Sequence, residues 1–289
     1  MPIKESELIL NPDNSIYHLN LKPEHVAKTI ILVGDQDRVE KVSKYFDRIE
    51  FKIQKREFKT HTGYYKKKRI TVISTGIGPD NIDIVLNELD ALVNIDFGTR
   101  QIKETLTKLH IIRIGTSGSL QAHIPVDTFV LSTHGLDING MLHAYQLNNI
   151  NTPDFEQAFI THTNWSPNKA RPIIIEGSQI LRDQLKSEQT YEGLTATAGG
   201  FYGPQGRVLR LPVQDAQLNS KMDNFEYNNI RISNFEMETS AIFGLAKLLG
   251  HEALSLNAII ANRATGNFTK KPALTIDKLI KYTLDKLVE

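Results

Sequence analysis

The sequence predicts an α/β protein, a single domain over residues 1–289 with a mixed central β-sheet flanked by helices. Short apolar runs rich in Ile, Val and Leu alternate with stretches whose apolar residues recur at helical spacing. No internal repeat, low-complexity tract or polar linker divides the chain into two cores. A chain of 289 residues is long enough to bury a large core without disulfides or structural metal.

In chain order, residues 29–33 (TIILV) read as a short buried strand, followed by Gly34 and an amphipathic stretch over 37–45. Residues 49–59 and 69–74 are β-rich, and Lys66, Lys67 and Lys68 fall in the turn between them, where they are solvated. Over 81–93, Ile82, Val85, Leu86, Leu89 and Val93 would cover one helix face. Residues 111–114, 128–131, 173–175 and 254–260 are further strands. Residues 235–249, stopped by Gly250, and 274–288 are the late helices. The polar segment 148–171 reads as a surface excursion with a short helix over 155–160.

Composition narrows the function. There are 34 Lys+Arg against 33 Asp+Glu, a formal net charge of +1, so no basic footprint for nucleic acid is expected. With no Cys, the chain has no thiol nucleophile and no cysteine-ligated zinc. No run reaches the roughly 18 apolar residues of a membrane span, and the start lacks a signal-peptide pattern. A cytoplasmic protein without membrane or nucleic-acid partners is expected. There is no P-loop, HExxH or GxSxG, and Gly76-Ile77-Gly78 lacks the third glycine of a dinucleotide fingerprint. The nine histidines, His134 and His143 in one polar stretch included, show no convincing metal spacing.

Three segments place polar groups just past apolar strands, where open α/β sheets form ligand crevices. Gly34 precedes a helix whose first turn carries Arg38, which fits either an anion or an ordinary strand-to-helix turn. Arg113 interrupts an apolar strand before a Gly115-Thr116-Ser117-Gly118 turn, so its guanidinium needs an anion or a core carboxylate. Glu236 and Glu238 open a helix, where carboxylates either cap the N-terminus or accept hydrogen bonds from paired hydroxyls.

Together these segments resemble the nucleoside phosphorylases, and within them the uridine phosphorylases, from about Tyr17 to Glu289. Tyr17-His18-Leu19-Asn20-Leu21 looks like that family's N-terminal segment, and Gly34-Asp35-Gln36-Asp37-Arg38 resembles its first phosphate loop. Arg56-Glu57-Phe58 is similar to its Arg-Glu-Phe strand, Arg113 to Gly118 to its second phosphate segment, and Phe235 to Glu238 to its ribose segment. Phe201 with Gln205-Gly206-Arg207 resembles the pattern that marks uracil-binding members, and Asn262-Arg263 the late segment over the base. Ser74, Gly76, Ile77, Gly78, Ile84, Glu88 and Leu89 keep a further family pattern, but Asp80, Asn81 and Asp83 replace its usual Pro or Ala, Ser and small residue. The stretch 94–108 also looks longer than in compact members.

The resemblance implies the phosphorylase fold and reversible phosphorolysis of uridine to uracil and ribose 1-phosphate, in pyrimidine salvage. It implies that Gly34, Arg38, Arg113 and Thr116 hold phosphate, joined by Arg56 of a neighbouring subunit. Glu238, Met237 and Thr116 would hold ribose, with His18 of the neighbour at the 5′-hydroxyl. Phe201, Gln205, Arg207, Ser117 and Gly118 would form the base site, with Arg113, Arg207 and Glu238 central to catalysis. It implies a homo-oligomer, at least a dimer, with shared sites. Phosphate is a co-substrate, no cofactor or catalytic metal is needed, and a monovalent cation such as K+ could sit at the subunit interface by Glu57 and Ser74. A purine nucleoside phosphorylase, a nucleoside hydrolase on the same scaffold and a non-enzymatic nucleoside-binding protein are the alternatives.

Overall fold

Burial patterns explain the element order in the computed structural model, which describes residues 2–289. Strand β1 (Thr29–Val33) is buried at every position, as a parallel strand covered on both faces must be. Helix α1 (Gln36–Ser43) starts where the Asp35 side chain accepts from the Asp37 N–H, and it buries Val39 and Val42. The edge strand β2 (Arg48–Lys55) alternates exposed and half-buried residues. Strands β3 (Phe58–Tyr65) and β4 (Lys68–Ser74) complete an antiparallel meander. The β-rich run 49–59 is therefore two strands, reversed at Arg56 (φ 53°). Lys66 and Lys67 (φ 45° and 71°) form a two-residue hairpin turn, and Lys68 already belongs to β4. Helix α2 (Pro79–Asn94) buries Ile82, Val85, Leu86 and Leu89, the face its periodicity predicts. The long stretch after it folds as a small separate hairpin of β5 (Ile95–Asp96) and β6 (Gln101–Ile102).

The second half supplies β7 (His110–Ser119), β8 (Phe129–Asp137), α3 (Pro153–Thr163), β9 (Ile173–Glu176), α4 (Gln179–Leu185), β10 (Thr190–Thr197), α5 (Leu218–Asp223), β11 (Glu226–Tyr227), β12 (Ile230–Glu236), α6 (Thr239–Leu248), β13 (Glu252–Asn262), β14 (Asn267–Phe268) and α7 (Pro272–Lys286). Twelve strands form one mixed sheet in the order β11-β12-β10-β8-β13-β7-β1-β4-β3-β2, with β14 beside β13 and β9 beside β8. Parallel pairing joins β4, β1, β7 and β13, while β8 runs antiparallel to β13. The last residues of β7 also pair antiparallel with β12, at Ser119 with Asn234 and Gly118 with Phe235. Strands β7, β13, β8, β10 and β12 thus close into a circuit. Apolar clusters pack on both faces, Ile111 with the α2 and α6 side chains and Ile112 and Ile114 with those of α1 and α7.

Four boundaries differ from the sequence reading. The Gly115 to Gly118 segment is not a turn, because β7 runs straight through it to Ser119, held by β13 and β12. Phe235 and Glu236 end strand β12, and the helix begins only at Thr239. The 128–131 strand extends to Asp137 and so carries His134. Strands β10 and β12 went unread because Thr, Ser, Glu and Asn break their apolar runs, although tertiary pairing buries them.

A buried histidine in β3 makes the fold sensitive to acid. His61 is 3% exposed, and its Nδ1 lies 2.8 Å from the Ser43 hydroxyl. Burial, reinforced by Lys52 and Lys59, pushes its pKa from 6.5 down to about 4. The unfolded chain then binds the extra proton between these values, so this contribution is whole above pH 6.5 and is lost as pH falls toward 4. Thermal unfolding scans from pH 7 to 4 should show a steeper loss of Tm in the wild type than in His61→Gln. Parallel curves would remove His61 from the acid transition.

Candidate active site

A cavity of about 880 Å³ opens at the ends of β1, β4, β7 and β12. Gly34 and Arg38 enter it from the β1–α1 turn, Gly76 and Ile77 from the β4–α2 turn, and Thr116, Ser117 and Gly118 from β7. Met237 and Glu238 come from the β12–α6 junction, and Phe201, Gln205 and Arg207 from the loop after β10. Segments far apart in the chain are therefore brought to one hollow, with Arg113 at its floor. A second cavity of about 740 Å³ abuts it across Arg207, walled by Trp165, Leu209 and Leu211, and holds none of the other predicted site residues.

The floor is a buried ion cluster. Arg113 Nη2 lies 2.5 Å from Glu238 Oε2 and 3.3 Å from Glu236 Oε2, and Nη1 donates to Asn257 Oδ1 at 2.8 Å. Of the two open readings of Arg113, the core carboxylates are met, and the side chain also lines the cavity. Burial works against its charge, but Glu236 and Glu238 outweigh it and hold the guanidinium protonated more firmly than usual. The side chain folds back over its own strand: a Cβ placed on Gly115 would lie 1.8 Å from Arg113 Nη1. Glycine is thus required at 115 by close approach rather than by a turn.

The two acids divide the labour that the sequence left open. Glu236 is the cap: its carboxylate accepts from the N–H groups of Glu238 and Thr239 at 2.9–3.0 Å and from the Thr197 hydroxyl at 2.7 Å. Glu238 faces the cavity, and its Oε1 accepts from the Gly78 N–H at 2.8 Å. Burial raises its pKa, while Arg113 opposes the shift. Asn257 is a partner of this floor that sequence reading missed, because it lies 144 residues from Arg113, while Gly78, at φ 103° before α2, and Gly115 enter that reading only as pattern and turn glycines.

Arg38 stands beside this cluster with spare donors. Its Nη1 reaches the Ile114 carbonyl at 3.3 Å, while its buried Nε has no partner. Burial and then the nearby Arg113 lower its pKa. Two guanidiniums share this hollow, one with an orphaned donor and with Gly34 at its edge, an arrangement that can receive an anion. At the other end, Arg207 stacks 3.8 Å over the Phe201 ring centroid, and its Nη1 donates to Phe201 O at 2.6 Å and Gln205 Oε1 at 2.5 Å. Arg263 Nη2 holds the Gln205 carbonyl at 2.7 Å, and burial, then Arg207, lowers its pKa to about 10. Its Nη1 is buried without a partner. Ser117 Oγ accepts from Asn234 Nδ2 at 2.9 Å, tying β7 to β12 behind the base end.

His18 and Arg56 lie outside the cavity lining, on a patch joined by Tyr17. The Tyr17 and His18 ring centroids are 4.8 Å apart, and the Arg56 guanidinium lies 6.0 Å from the Tyr17 ring. Glu57 lines the cavity, but Ser74 is spent on the β3–β4 pairing. Its hydroxyl donates to the Glu57 carbonyl at 2.5 Å and accepts from the Lys59 N–H at 2.8 Å. These two residues therefore do not present a ready pair of free oxygens to a cation, and no acid or histidine cluster of metal-binding size occurs among the described residues. Asn81 also lines the cavity, its amide against Gly76, while Asp83 turns away to the Tyr145 hydroxyl.

A floor of paired acids and arginines, with Arg38 at one end and Phe201 and Arg207 at the other, is one that can serve transfer of a pentosyl group between a base and phosphate. The chain belongs to the phosphorylase superfamily, whose family model matches residues 28–283. It is a nucleoside phosphorylase, a pentosyltransferase of uridine phosphorylase-like sequence. A Uridine phosphorylase of Thermococcus kodakarensis is 29% identical over 275 residues, covering 92% of this chain and 85% of the relative. A DeoD-type purine nucleoside phosphorylase of Alkaliphilus metalliredigens is 26% identical over 253 residues, covering 87% and 90%. The crystal structure of a Trypanosoma brucei nucleoside phosphorylase that shows uridine phosphorylase activity superposes with a TM-score of 0.89 at 28% identity, covering 98% and 99%. Among the described residues no helix is long and apolar enough to cross a membrane.

The contact between Arg113 and Gly115 is directly testable. Gly115→Ala should push the guanidinium off Glu238 and Asn257 and cost about ten- to a hundred-fold in kcat/KM, the loss of a charge-assisted hydrogen bond. Steady-state kinetics with unfolding as a control would check this. Wild-type kinetics in Gly115→Ala would show that Arg113 does not need this pose.

Proposed function

We propose that the protein cleaves uridine with phosphate, releasing uracil and ribose 1-phosphate, as a step of pyrimidine salvage in the cytoplasm. The observation that carries this reading is the single cavity in which the Phe201, Gln205 and Arg207 group faces Arg38, Arg113 and Glu238. Gln205 offers a carboxamide and Arg207 a cationic fork to the two carbonyls and ring N–H of uracil, while Phe201 offers a flat face. The half-buried Arg38 and the buried Arg113 favour phosphate over water as the nucleophile, since a hydrolase needs no anion site.

In this reading a phosphate oxygen attacks C1′ as the C1′–N1 bond breaks, and the bond's electron pair leaves on the base. Arg38, Arg113, Thr116 and the Gly34 N–H hold the phosphate, and Glu238 and the Met237 backbone hold the ribose hydroxyls. Arg207 stabilises negative charge growing on uracil, and Ser117 and Gly118 floor the base. Arg207 and Gln205 bind one another, so uracil would have to share or break that bond. Phosphate is the co-substrate and no organic cofactor enters the scheme. Glu57 remains the residue to examine for a monovalent cation at a subunit boundary.

The site is shared between copies. His18 and Arg56 lie on one patch joined by Tyr17 and off the cavity lining, where both can reach a second copy's site. A two-fold dimer would then complete both sites at once.

Assays of uridine and inosine, each with and without phosphate, decide the reaction. Uridine should be cleaved only with phosphate and faster than inosine. Release of base without phosphate would make the enzyme a hydrolase, and strong inosine turnover with none on uridine would refute the pyrimidine pocket. Sharing is read separately: mixed Arg56→Ala and Arg113→Ala subunits should regain activity that neither has alone. Inactive reassembled hybrids, or an active monomer, would end the shared-site reading.

A further inference from the structure

We propose that Glu88 is a positioning residue that fixes the ring orientation and tautomer of His18, so that His18 Nε2 accepts the 5′-hydroxyl of the nucleoside. The inference deepens the reading above, in which His18 serves a neighbouring site. Glu88 lies on α2, 70 residues from His18 in sequence, and one carboxylate gathers three donors of the N-terminal arm. Oε1 meets the His18 N–H at 3.0 Å and His18 Nδ1 at 2.6 Å, and Oε2 meets the Leu19 N–H at 2.9 Å. The His18 N–H is also 3.1 Å from Oε2. Arm and ring are thus held by the same group.

The consequence follows from donor counting. A carboxylate only accepts, so Nδ1 must carry the ring proton that points at it. In the neutral imidazole, Nε2 is then left as an acceptor. Tyr17 packs edge-on against the ring and limits its rotation, with centroids 4.8 Å apart at 78°. The imidazole is partly exposed, its side chain at 28%, while Glu88 is at 13%. The acceptor therefore faces outward from a fixed ring, suited to a hydroxyl donor. A His18 free to take the other tautomer would present N–H there instead and compete with water for the same hydroxyl oxygen.

Glu88→Gln isolates this role at nearly constant volume. The amide has one oxygen for three donors, so the backbone N–H groups keep it and the amide N–H faces Nδ1, which turns the ring to the Nε2–H form. Two measurements read the result. Ring ¹⁵N shifts of His18 should show protonated Nδ1 in the wild-type oligomer and protonated Nε2 in Glu88→Gln. The ratio of kcat/KM for uridine over 5′-deoxyuridine should fall about five- to tenfold in both His18→Ala and Glu88→Gln, the scale of one hydrogen bond. Glu88→Gln should add nothing once His18 is Ala. Equal loss on both substrates, or an unchanged tautomer, would make Glu88 a structural residue and overturn the proposal. A full effect of His18→Ala with none of Glu88→Gln would remove the proposal alone. An unchanged ratio in His18→Ala would remove the underlying role of His18 and the proposal with it.

Discussion

The guanidinium of Arg113, buried between Glu236 and Glu238, is the constraint on which the rest of the site depends. An unpaired charge at that depth is far more costly than the pair. The chain must therefore bring the end of β12 against β7, which it does by the antiparallel pairing that closes the strand circuit. Glu236 then uses its other bonds to cap α6, which points Glu238 into the cavity. Asn257 on β13 takes the remaining side of the guanidinium, so three strands converge on one cation. The electrostatics that shape the floor are also those that close the sheet.

The same cluster explains how the site can receive an anion. Burial and Arg113 disfavour the charge on Arg38, Asp35 and Glu238 partly offset them, and Arg38 Nε has no partner. An incoming phosphate would supply that partner in a setting already screened from water, where such bonds are strong. The opposite end is organised differently. Arg207 and Arg263 lie close, and both are held mainly by carbonyl and amide oxygens and by aromatic faces, with no carboxylate in either pairing. One cavity thus separates an acid-balanced floor from a cationic end with no carboxylate.

Much of this was legible in the residues. The TIILV run, the helical face of Ile82, Val85, Leu86 and Leu89, and the polar residues past the strands follow from local periodicity, which burial then rewards. Gly34, Arg38, Arg113, Thr116, Gln205, Arg207 and Glu238 do meet in one cavity, because Arg113 and Thr116 lie on β7 and the others sit in turns or loops past neighbouring strands. The failures share a cause. Gly115 to Gly118 looked like a turn since glycine and hydroxyl residues usually mark one, yet β12 and β13 hold the segment as strand. Strands β10 and β12 lacked an apolar pattern because their Thr, Ser and Asn side chains bond one another inside the closed circuit, as Thr195 does with Ser132 and Asn234.

By itself, the sequence determined the class of fold, the absence of thiol chemistry and the types of group available for an anion, a sugar and a base. These depend on residue identity and short-range spacing. Only the tertiary structure decided that Glu236 caps α6 while Glu238 takes the Gly78 N–H at the cavity wall, and that Gly115 is needed for the bulk of Arg113 rather than for a turn. It also decided that Ser74 serves a hairpin and that His18 is held by Glu88 away from its own chain's cavity. Glu88 lies 70 residues from His18 and Gly78 160 from Glu238, and a Cβ on Gly115 would lie 1.8 Å from Arg113 Nη1; none of these contacts is written in local pattern.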